Sequence, residues 1–310
     1  MIGGPDRPAP SAIACGTVTV RELEPAVNAY QRWLHQELVE VGEVSSGLAA
    51  AWGVSALTGA RYALLRTPAG RSSVLRLVEA PVLASYTPAV SLGWNAFEIT
   101  VQNVFELAEH LADSPFRIVG PPKEVDGFTS FIPMQVFGPN GEVLFLNEVR
   151  HSDDDTDLPA AQGKVAEIFI VVLASPDRQA SANEYAELLQ FDIGGTHNLR
   201  YGLVNRAFGF PQETVQTITM VQQGRSPFLQ VDQYPPQALV RKTAAGTLPT
   251  GNALVSVRVD SLDSIPLQGK TVGPVARPGG FLYAGRRVRV VRGLAGELIE
   301  LIEVGHDGKE

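Results

Sequence analysis

The stretch Gly141-Glu-Val-Leu-Phe-Leu-Asn-Glu148 has a near copy later in the chain, Gly296-Glu-Leu-Ile-Glu-Leu-Ile-Glu303. Each copy is a glycine turn followed by an apolar strand that ends in glutamate. Residue 296 lies 155 positions after residue 141 in a chain of 310 residues. An offset of half the chain length indicates an internal duplication, which has to be recognised before any other feature of the fold is predicted.

Other segments extend the duplication. Asn95-Ala96-Phe97 corresponds to Asn252-Ala253-Leu254, and each begins an apolar strand that leads into a short helical pattern. Apolar spacing also predicts helices over 24–38 and about 180–189, each after a strand. The repeats therefore predict four modules, each made of a strand, a helix and about three further strands, over residues 12–84, 91–150, 164–236 and 250–304.

An acidic segment that ends in proline lies near the middle of the chain, within residues 151–163. Like charges repel and extend such a segment, so we expect a linker between a first domain, 12–150, and a second domain, 164–304. A module of this kind buries only one face of its sheet, so modules have to pair. The sequence leaves open whether modules 1 and 2 pair, and 3 and 4, or whether 1 pairs with 4 and 2 with 3.

Composition restricts the partners. Hydrophobic residues make up 45% of the chain and charged residues 19%, and the formal net charge is −8, which is typical of a globular protein. Nucleic acids and anionic membranes both attract basic surfaces, so we expect neither as a partner. We also expect a cytoplasmic location, because residues 1–11 are Pro/Gly-rich and lack the features of a signal peptide. A single cysteine, Cys15, excludes an internal disulfide.

The repeated module resembles that of the vicinal oxygen chelate superfamily, which includes glyoxalase I, extradiol dioxygenases and the fosfomycin- and bleomycin-resistance proteins. The resemblance is carried by residues 97–108 with 136–146, and by the closing strand 296–303. It implies an α+β fold in which four βαβββ modules form two curved mixed sheets, each with a concave cup.

The resemblance also implies where metal ligands lie, at four equivalent points in each half. In the first half these points are Cys15, Arg76, Ala96 and Phe145. We expect no metal there, because the fixed charge of Arg76 opposes a divalent ion. In the second half they are Glu167, Gln230, Leu254 (or Ala253) and Glu300. The three oxygen donors Glu167, Gln230 and Glu300 imply one divalent metal ion, of unidentified element, in the second domain only.

Alternation along the strands adds residues to each cup. In the first half, Glu98 faces inward with Arg76, and an ion pair between them is expected in place of a metal. In the second half, Phe169, Asp232, Ser256 and Arg258 face inward and are predicted to bind substrate together with Arg76 and Glu98. His197, in a glycine-rich segment, is a further candidate for acid–base chemistry. The predicted catalytic residues are Glu300, Glu167 and His197.

The resemblance and these residues together predict an enzyme of the isomerase or lyase type. It binds a small, oxygen-bearing, partly apolar or aromatic substrate in the second-domain cup and moves a proton with the help of carboxylates and a metal. One alternative is a metal-free protein that binds or sequesters a small molecule. A second is an extradiol-type dioxygenase, which the missing histidines disfavour. The expected partner is a small-molecule substrate, and the sequence is compatible with a homodimer.

Overall fold

The computed structural model describes residues 12–70, 72–124, 129–152, 156–267 and 269–305. The N-terminal stretch 1–11, expected to be unstructured, lies outside the described residues, as do 153–155 of the expected linker. In the described part of the chain, no helix is long and apolar enough to cross a membrane.

The first two modules follow the expected order of elements. Module 1 consists of β1 (Ile13–Val20), α1 (Leu23–Leu34), β2 (Glu37–Glu43), α2 (Ser46–Trp52), a 3-10 turn (Ser55–Leu57), β3 (Arg61–Arg66) and β4 (Val74–Glu79). Module 2 consists of β5 (Gly93–Val101), α3 (Val104–Leu111), β6 (Arg117–Gly120), β7 (Phe131–Phe137) and β8 (Val143–Val149).

The last two modules repeat this order with two differences, both in module 4, which within the described residues lacks a first helix and has only two strands after its first strand where the other modules have three. Module 3 consists of β9 (Val165–Ser175), α4 (Arg178–Leu189), β10 (Asp192–Arg200), α5 (Gly202–Phe208), β11 (Val215–Gln223) and β12 (Ser226–Gln233). Module 4 consists of β13 (Gly251–Val259), a 3-10 turn (Leu262–Ser264), α6 (Gly280–Tyr283), β14 (Val288–Arg292) and β15 (Leu298–Glu303). Module 4 therefore has a single 3-10 turn where the other modules have their first helix.

The strands form two mixed sheets. One has seven strands in the order β14-β15-β13-β1-β4-β3-β2, and the other has eight in the order β10-β11-β12-β9-β5-β8-β7-β6. Module 1 thus pairs with module 4 through the antiparallel strands β1 and β13, and module 2 with module 3 through β5 and β9. The expected fold of four modules in two curved sheets is confirmed, and of the two pairings left open the structure adopts 1 with 4 and 2 with 3.

The two sheets pack against each other through a shared apolar core. Phe97 and Ile168 of the eight-stranded sheet, and Val18 and Val255 of the seven-stranded sheet, are at most 4% exposed and belong to one buried cluster. Gly16 on β1 faces this contact. A Cβ atom there would come within 2.7 Å of both the Ile168 and the Phe97 side chains, so the sheets approach closely only because residue 16 has no side chain.

The end of each closing strand caps the helix or turn of its own module. Glu79 accepts a hydrogen bond from the backbone N–H of Leu23, Glu148 from Val104, and Glu303 from Leu262. In module 3 the Gln233 side chain accepts the equivalent bond from Arg178. These side chains satisfy N–H groups that a helix leaves unpaired at its N-terminus, and a carboxylate also interacts favourably with the helix dipole.

A second repeated contact joins the two sheets. The Tyr30 hydroxyl of module 1 donates to Glu142 of module 2 over 3.0 Å, and the Tyr185 hydroxyl of module 3 donates to Glu297 of module 4 over 2.8 Å. Both tyrosine–glutamate pairs keep the 155-residue spacing of the duplication. Burial raises the pKa of both carboxyls, that of Glu297 to about 7.

Two expected elements differ in detail. The first helix ends at Leu34 rather than at residue 38, because His35 adopts the left-handed conformation (φ 52°) and the chain turns into β2. The linker is not simply extended by its charge. Asp157 forms an ion pair with Arg225 of module 3, and its backbone N–H donates to the Arg225 carbonyl over 2.8 Å. The second half of the linker therefore lies against module 3.

Candidate functional site in the eight-stranded sheet

The cup of the seven-stranded sheet contains a buried ion pair at its centre. Arg76 on β4 and Glu300 on β15 are 1% and 0% exposed, and Nη2 of Arg76 lies 3.3 Å from Oε2 of Glu300. Ser256 on β13 donates to the same Oε2 atom over 2.5 Å. Nε and Nη2 of Arg76 donate to the Thr17 hydroxyl over 3.0 and 2.9 Å. The four central strands therefore each supply one polar side chain to this network.

Two side chains close the network from above. Trp52 of α2 donates from its indole nitrogen to Oε1 of Glu300 over 2.6 Å, and the Tyr283 hydroxyl of α6 donates to the same atom over 2.9 Å. The Arg76 guanidinium also stacks against the Trp52 ring, with Cζ of Arg76 4.5 Å from the ring centre. Both carboxylate oxygens are thus fully used by the protein. This cup is filled, and the glycine-rich segment around Tyr283 is its cover.

Burial perturbs the groups in this cup. It raises the pKa of the Cys15 thiol to about 11, despite the opposing effect of nearby Arg76. For Arg76 itself burial disfavours the charge, but Tyr283 and the Glu300 carboxylate outweigh it and raise its pKa. The thiol is therefore a neutral, inert group, and the guanidinium stays charged.

The structure separates the metal ligands implied by the resemblance. Glu300 belongs to the seven-stranded sheet, whereas Gln230 lies on β12 of the eight-stranded sheet. Glu167 lies at the start of β9 and accepts hydrogen bonds from the backbone N–H groups of Ser72 and Ser73, over 2.5 and 3.1 Å. The expected set of Glu167, Gln230 and Glu300 is therefore wrong, because the modules of one half pair with modules of the other.

The same pairing of modules gives other predicted site residues partners that differ from the prediction. Arg76 pairs with Glu300 and not with Glu98, which lies in the other sheet. Arg258 donates to the backbone carbonyls of Ile13 and Ser72 and so joins strand to loop.

The eight-stranded cup, by contrast, contains an open cavity of about 240 Å³. Its floor is polar and consists of Glu98, Asn147, Gln230 and Tyr201, contributed by both modules. Apolar side chains form its walls: Phe131, Pro133, Phe145, Leu199 and Ile218. The cavity has the composition of a small-molecule site, in which a mostly apolar lining surrounds a few converging polar groups.

Glu98 is the one carboxylate among the described residues that line this cavity. It is 6% exposed, and its Oε2 atom accepts a hydrogen bond from the Asn147 side-chain amide over 2.5 Å. Burial raises the pKa of Glu98 to about 7, and the bond from Asn147 only partly offsets this. A carboxyl group with such a pKa is present in both protonation states near neutral pH, as a general acid or base requires.

Asp232 lies just beneath the floor. Its Oδ1 atom accepts a hydrogen bond from the Gln230 amide over 2.7 Å. Burial raises the pKa of Asp232 to about 8, the bond from Gln230 opposes the rise, and the charge of Glu98 adds to it. Asp232 therefore holds its proton more tightly when Glu98 is ionised.

Several buried polar atoms around the floor have no hydrogen-bond partner of normal geometry in the described part of the chain. One is Oδ1 of Asn147; Oδ2 of Asp232 and the Tyr201 hydroxyl also fall outside that geometry, although these two groups interact with each other. Each such atom costs free energy on burial unless a water molecule or a ligand group pairs with it. The floor is therefore prepared to hydrogen-bond a polar group.

Among the predicted site residues, this cup collects Glu98, Phe169, Gln230 and Asp232. Phe169 belongs to the buried apolar cluster that also includes Phe145 and Tyr201. His197 lies on β10 rather than in a loop, and strand alternation places it on the face of Leu199, which lines the cavity.

Sequence reasoning missed Asn147 and Tyr201. The strand pattern could have predicted Asn147, because this residue follows Phe145 by two positions on β8 and so lies on the same face of the sheet. Tyr201 carries no comparable signal, since its position depends on the turn between β10 and α5.

The residues present in the two cups do not fit a divalent metal ion. In the seven-stranded cup a guanidinium occupies the centre. In the eight-stranded cup, the Asn147 and Gln230 amides turn their N–H groups toward the two carboxylates. Among the described residues, no three His, Cys, Asp or Glu side chains cluster closely enough to bind a metal.

Comparisons with known proteins identify the architecture. No family model matches the sequence, and no curated protein matches it. The solved structure of glyoxalase I from Zea mays is similar over 94% of this chain and 92% of that chain, with a TM-score of 0.63 and 15% identity. A point mutant of the same maize enzyme superposes over the same shares with a TM-score of 0.65.

A putative dioxygenase from Bacillus subtilis is similar over 95% of this chain and 85% of that chain, with a TM-score of 0.58 and 11% identity. Both proteins match nearly the whole chain, so the likeness includes all four modules and the way they pair. The chain therefore has the glyoxalase fold.

Proposed function

We propose that this protein is an enzyme of the glyoxalase type that moves a proton on a small, partly apolar substrate bound in the eight-stranded cup. Glu98 is the acid–base residue. The observation that supports this most directly is the position of Glu98, at the floor of the cavity and with a pKa of about 7. The reaction class is that of an isomerase or lyase which removes a proton next to a carbonyl group.

The surrounding residues support Glu98 in this role. Asn147 holds the carboxylate through one oxygen, and burial in the cup raises its proton affinity. The Tyr201 hydroxyl, also on the floor, is the donor for a substrate oxygen, where negative charge develops when a neighbouring carbon loses a proton. The apolar cavity walls lower the local dielectric constant around the reacting atoms, which strengthens these interactions. Because neither cup fits a metal, each role is assigned to a side chain.

Hydrogen–deuterium exchange measures the proposed step directly. The uncharged ketone 4-phenyl-2-butanone is incubated with the protein in D₂O, and loss of its protons next to the carbonyl is followed by NMR. We expect exchange above the buffer rate. Glu98→Gln should reduce the enzyme-dependent rate by about 10²- to 10⁴-fold, which is the usual contribution of general acid–base catalysis.

Glu167→Gln is the matched control, because it makes the same substitution on a carboxylate that pairs with a loop and does not line the cavity. His197→Asn tests whether the histidine on the cup face of β10 contributes a second proton-transfer group. Equal exchange by the wild type and Glu98→Gln contradicts the proposal.

The unpaired polar atoms of the floor also favour a second candidate, a protein that binds a small molecule without converting it. The same experiment separates the two. If 4-phenyl-2-butanone binds, as seen by saturation-transfer NMR, but shows only the buffer rate of exchange, the protein is a binding protein.

A further inference from the structure

The cavity of the eight-stranded cup has a positively charged mouth. Lys123, Arg200 and Arg206 line it and are exposed to solvent. They come from three separate places, the segment after β6, the end of β10, and α5. The chain as a whole has a net charge of −8, so a group of three cations converging on one opening is opposite in sign to the rest of the surface.

The charge changes from mouth to floor. The one carboxylate among the described lining residues, Glu98, lies at the floor and is bonded to Asn147. Between mouth and floor the walls are apolar. A ligand that fills the cavity therefore meets cations at one end, apolar side chains in the middle and the polar side chains of Glu98, Asn147 and Gln230 at the other end.

We infer that the ligand of this site is a small organic anion. Its anionic group, a carboxylate or similar, lies at Lys123, Arg200 and Arg206. Its apolar or aromatic body lies against Phe131, Phe145 and Ile218, and an uncharged oxygen reaches the floor. This inference rests on the proposed function for the choice of cavity, and it adds the charge class of the substrate.

Physical reasons favour an anion over the other classes. A cleft lined by one sign of charge with apolar walls focuses the field, which raises the local concentration of an oppositely charged ligand. Arginine also binds carboxylates through paired N–H groups. A cationic ligand would be repelled at the mouth. The volume of about 240 Å³ is below the ~300–1,000 Å³ of sites for drug-sized ligands, so the anion is small.

Arg206 is held in place by a hydrogen bond within the protein. Its Nη2 atom donates to the backbone carbonyl of Val119, on the adjoining strand β6. This bond crosses from module 3 to module 2 and fixes the direction of the guanidinium. Arg206 therefore loses less conformational entropy on binding an anion than a fully mobile surface arginine does.

A series of isosteric probes tests the charge class. The anion 3-phenylpropanoate, the neutral 3-phenylpropanamide and the cation 3-phenylpropylamine share one body and differ in the charge of one end. Their affinities are measured at low salt by saturation-transfer NMR titration. We expect the anion to bind at least tenfold more tightly than the amide, and the amine most weakly. Of the three probes, only the anion should bind more weakly when salt is added, because salt screens its attraction to the exposed cations.

The triple variant Lys123→Gln/Arg200→Gln/Arg206→Gln should bring the affinity for 3-phenylpropanoate down to that for the amide. Arg225→Gln is the matched control, since Arg225 is an exposed arginine that does not line the cavity. Circular dichroism of each variant verifies the fold.

The outcomes separate this inference from the proposed function. Amide binding equal to or tighter than anion binding, or a triple variant with an unchanged anion-to-amide ratio, overturns the charge class while proton exchange on the ketone still stands. Anion-selective binding without any ketone exchange supports the charge class and contradicts proton transfer. Binding of none of the three probes overturns the charge class, and the ketone exchange experiment alone then decides the proposed function.

Discussion

Replacement of Glu300 by glutamine tests the ion pair that fills the seven-stranded cup. The Gln side chain keeps the shape of Glu but loses its charge, so Arg76 is left as an uncompensated buried cation. The new amide N–H₂ also turns toward the Arg76 N–H groups and the Ser256 hydroxyl if its oxygen keeps the bonds from Trp52 and Tyr283. Removing one partner of a buried ion pair typically costs about 3–5 kcal/mol, a large share of the ~5–15 kcal/mol that stabilises a folded domain.

Urea unfolding, followed by both tryptophan fluorescence and circular dichroism, measures the loss. Glu24→Gln is the matched control, because Glu24 pairs with Arg61 on the surface and is 62% exposed; it should leave the unfolding midpoint unchanged. The double variant Arg76→Met/Glu300→Gln removes the unpaired charge and should recover part of the stability. If Glu300→Gln unfolds at the same urea concentration as Glu24→Gln, Glu300 does not compensate the charge of Arg76 and the reasoning fails.

Three further outcomes are expected. The free energy of unfolding should fall as pH rises from about 5 to 8, because Asp232 holds its proton to about pH 8 in the folded chain but loses it at lower pH in the unfolded chain. The fall is at most about 1.4 kcal/mol per pH unit for one group. It should be smaller in the variant Asp232→Asn. Gly16→Ala should destabilise the protein by about 1–3 kcal/mol through overpacking between the sheets. Gly47→Ala is the control, because a Cβ atom there meets no atom within 4 Å. Equal urea midpoints for the two variants would show that the sheets can separate locally. Tyr30→Phe removes a donor from a buried carboxyl and should lower the midpoint, with wild-type stability as the contrary result.

The modules were predictable because their signals are local. A glycine turn, an apolar strand and a terminal Glu recur at one spacing, and the resemblance placed Arg76 and Glu300 at cup positions, although in two different cups. Their pairing was not predictable, since both arrangements of modules leave the pattern within each strand unchanged. The two residues lie 224 positions apart, and only the antiparallel contact of β1 with β13 brings them together. The same pairing of modules explains why the candidate site lies around Glu98 and not, as the sequence had predicted, around Glu300.

The pairing of modules across the halves has a consequence for how the two cups differ. Each half supplies one module to each sheet, so the chain has the layout of a two-fold dimer of half-length chains, fused through residues 151–163. In a true homodimer of that kind the two cups would be identical by symmetry, and any substitution that filled one would fill both. Fusion removes this restriction. One cup can then carry a sealed Arg76–Glu300 pair as a rigid support, while the other keeps an open cavity.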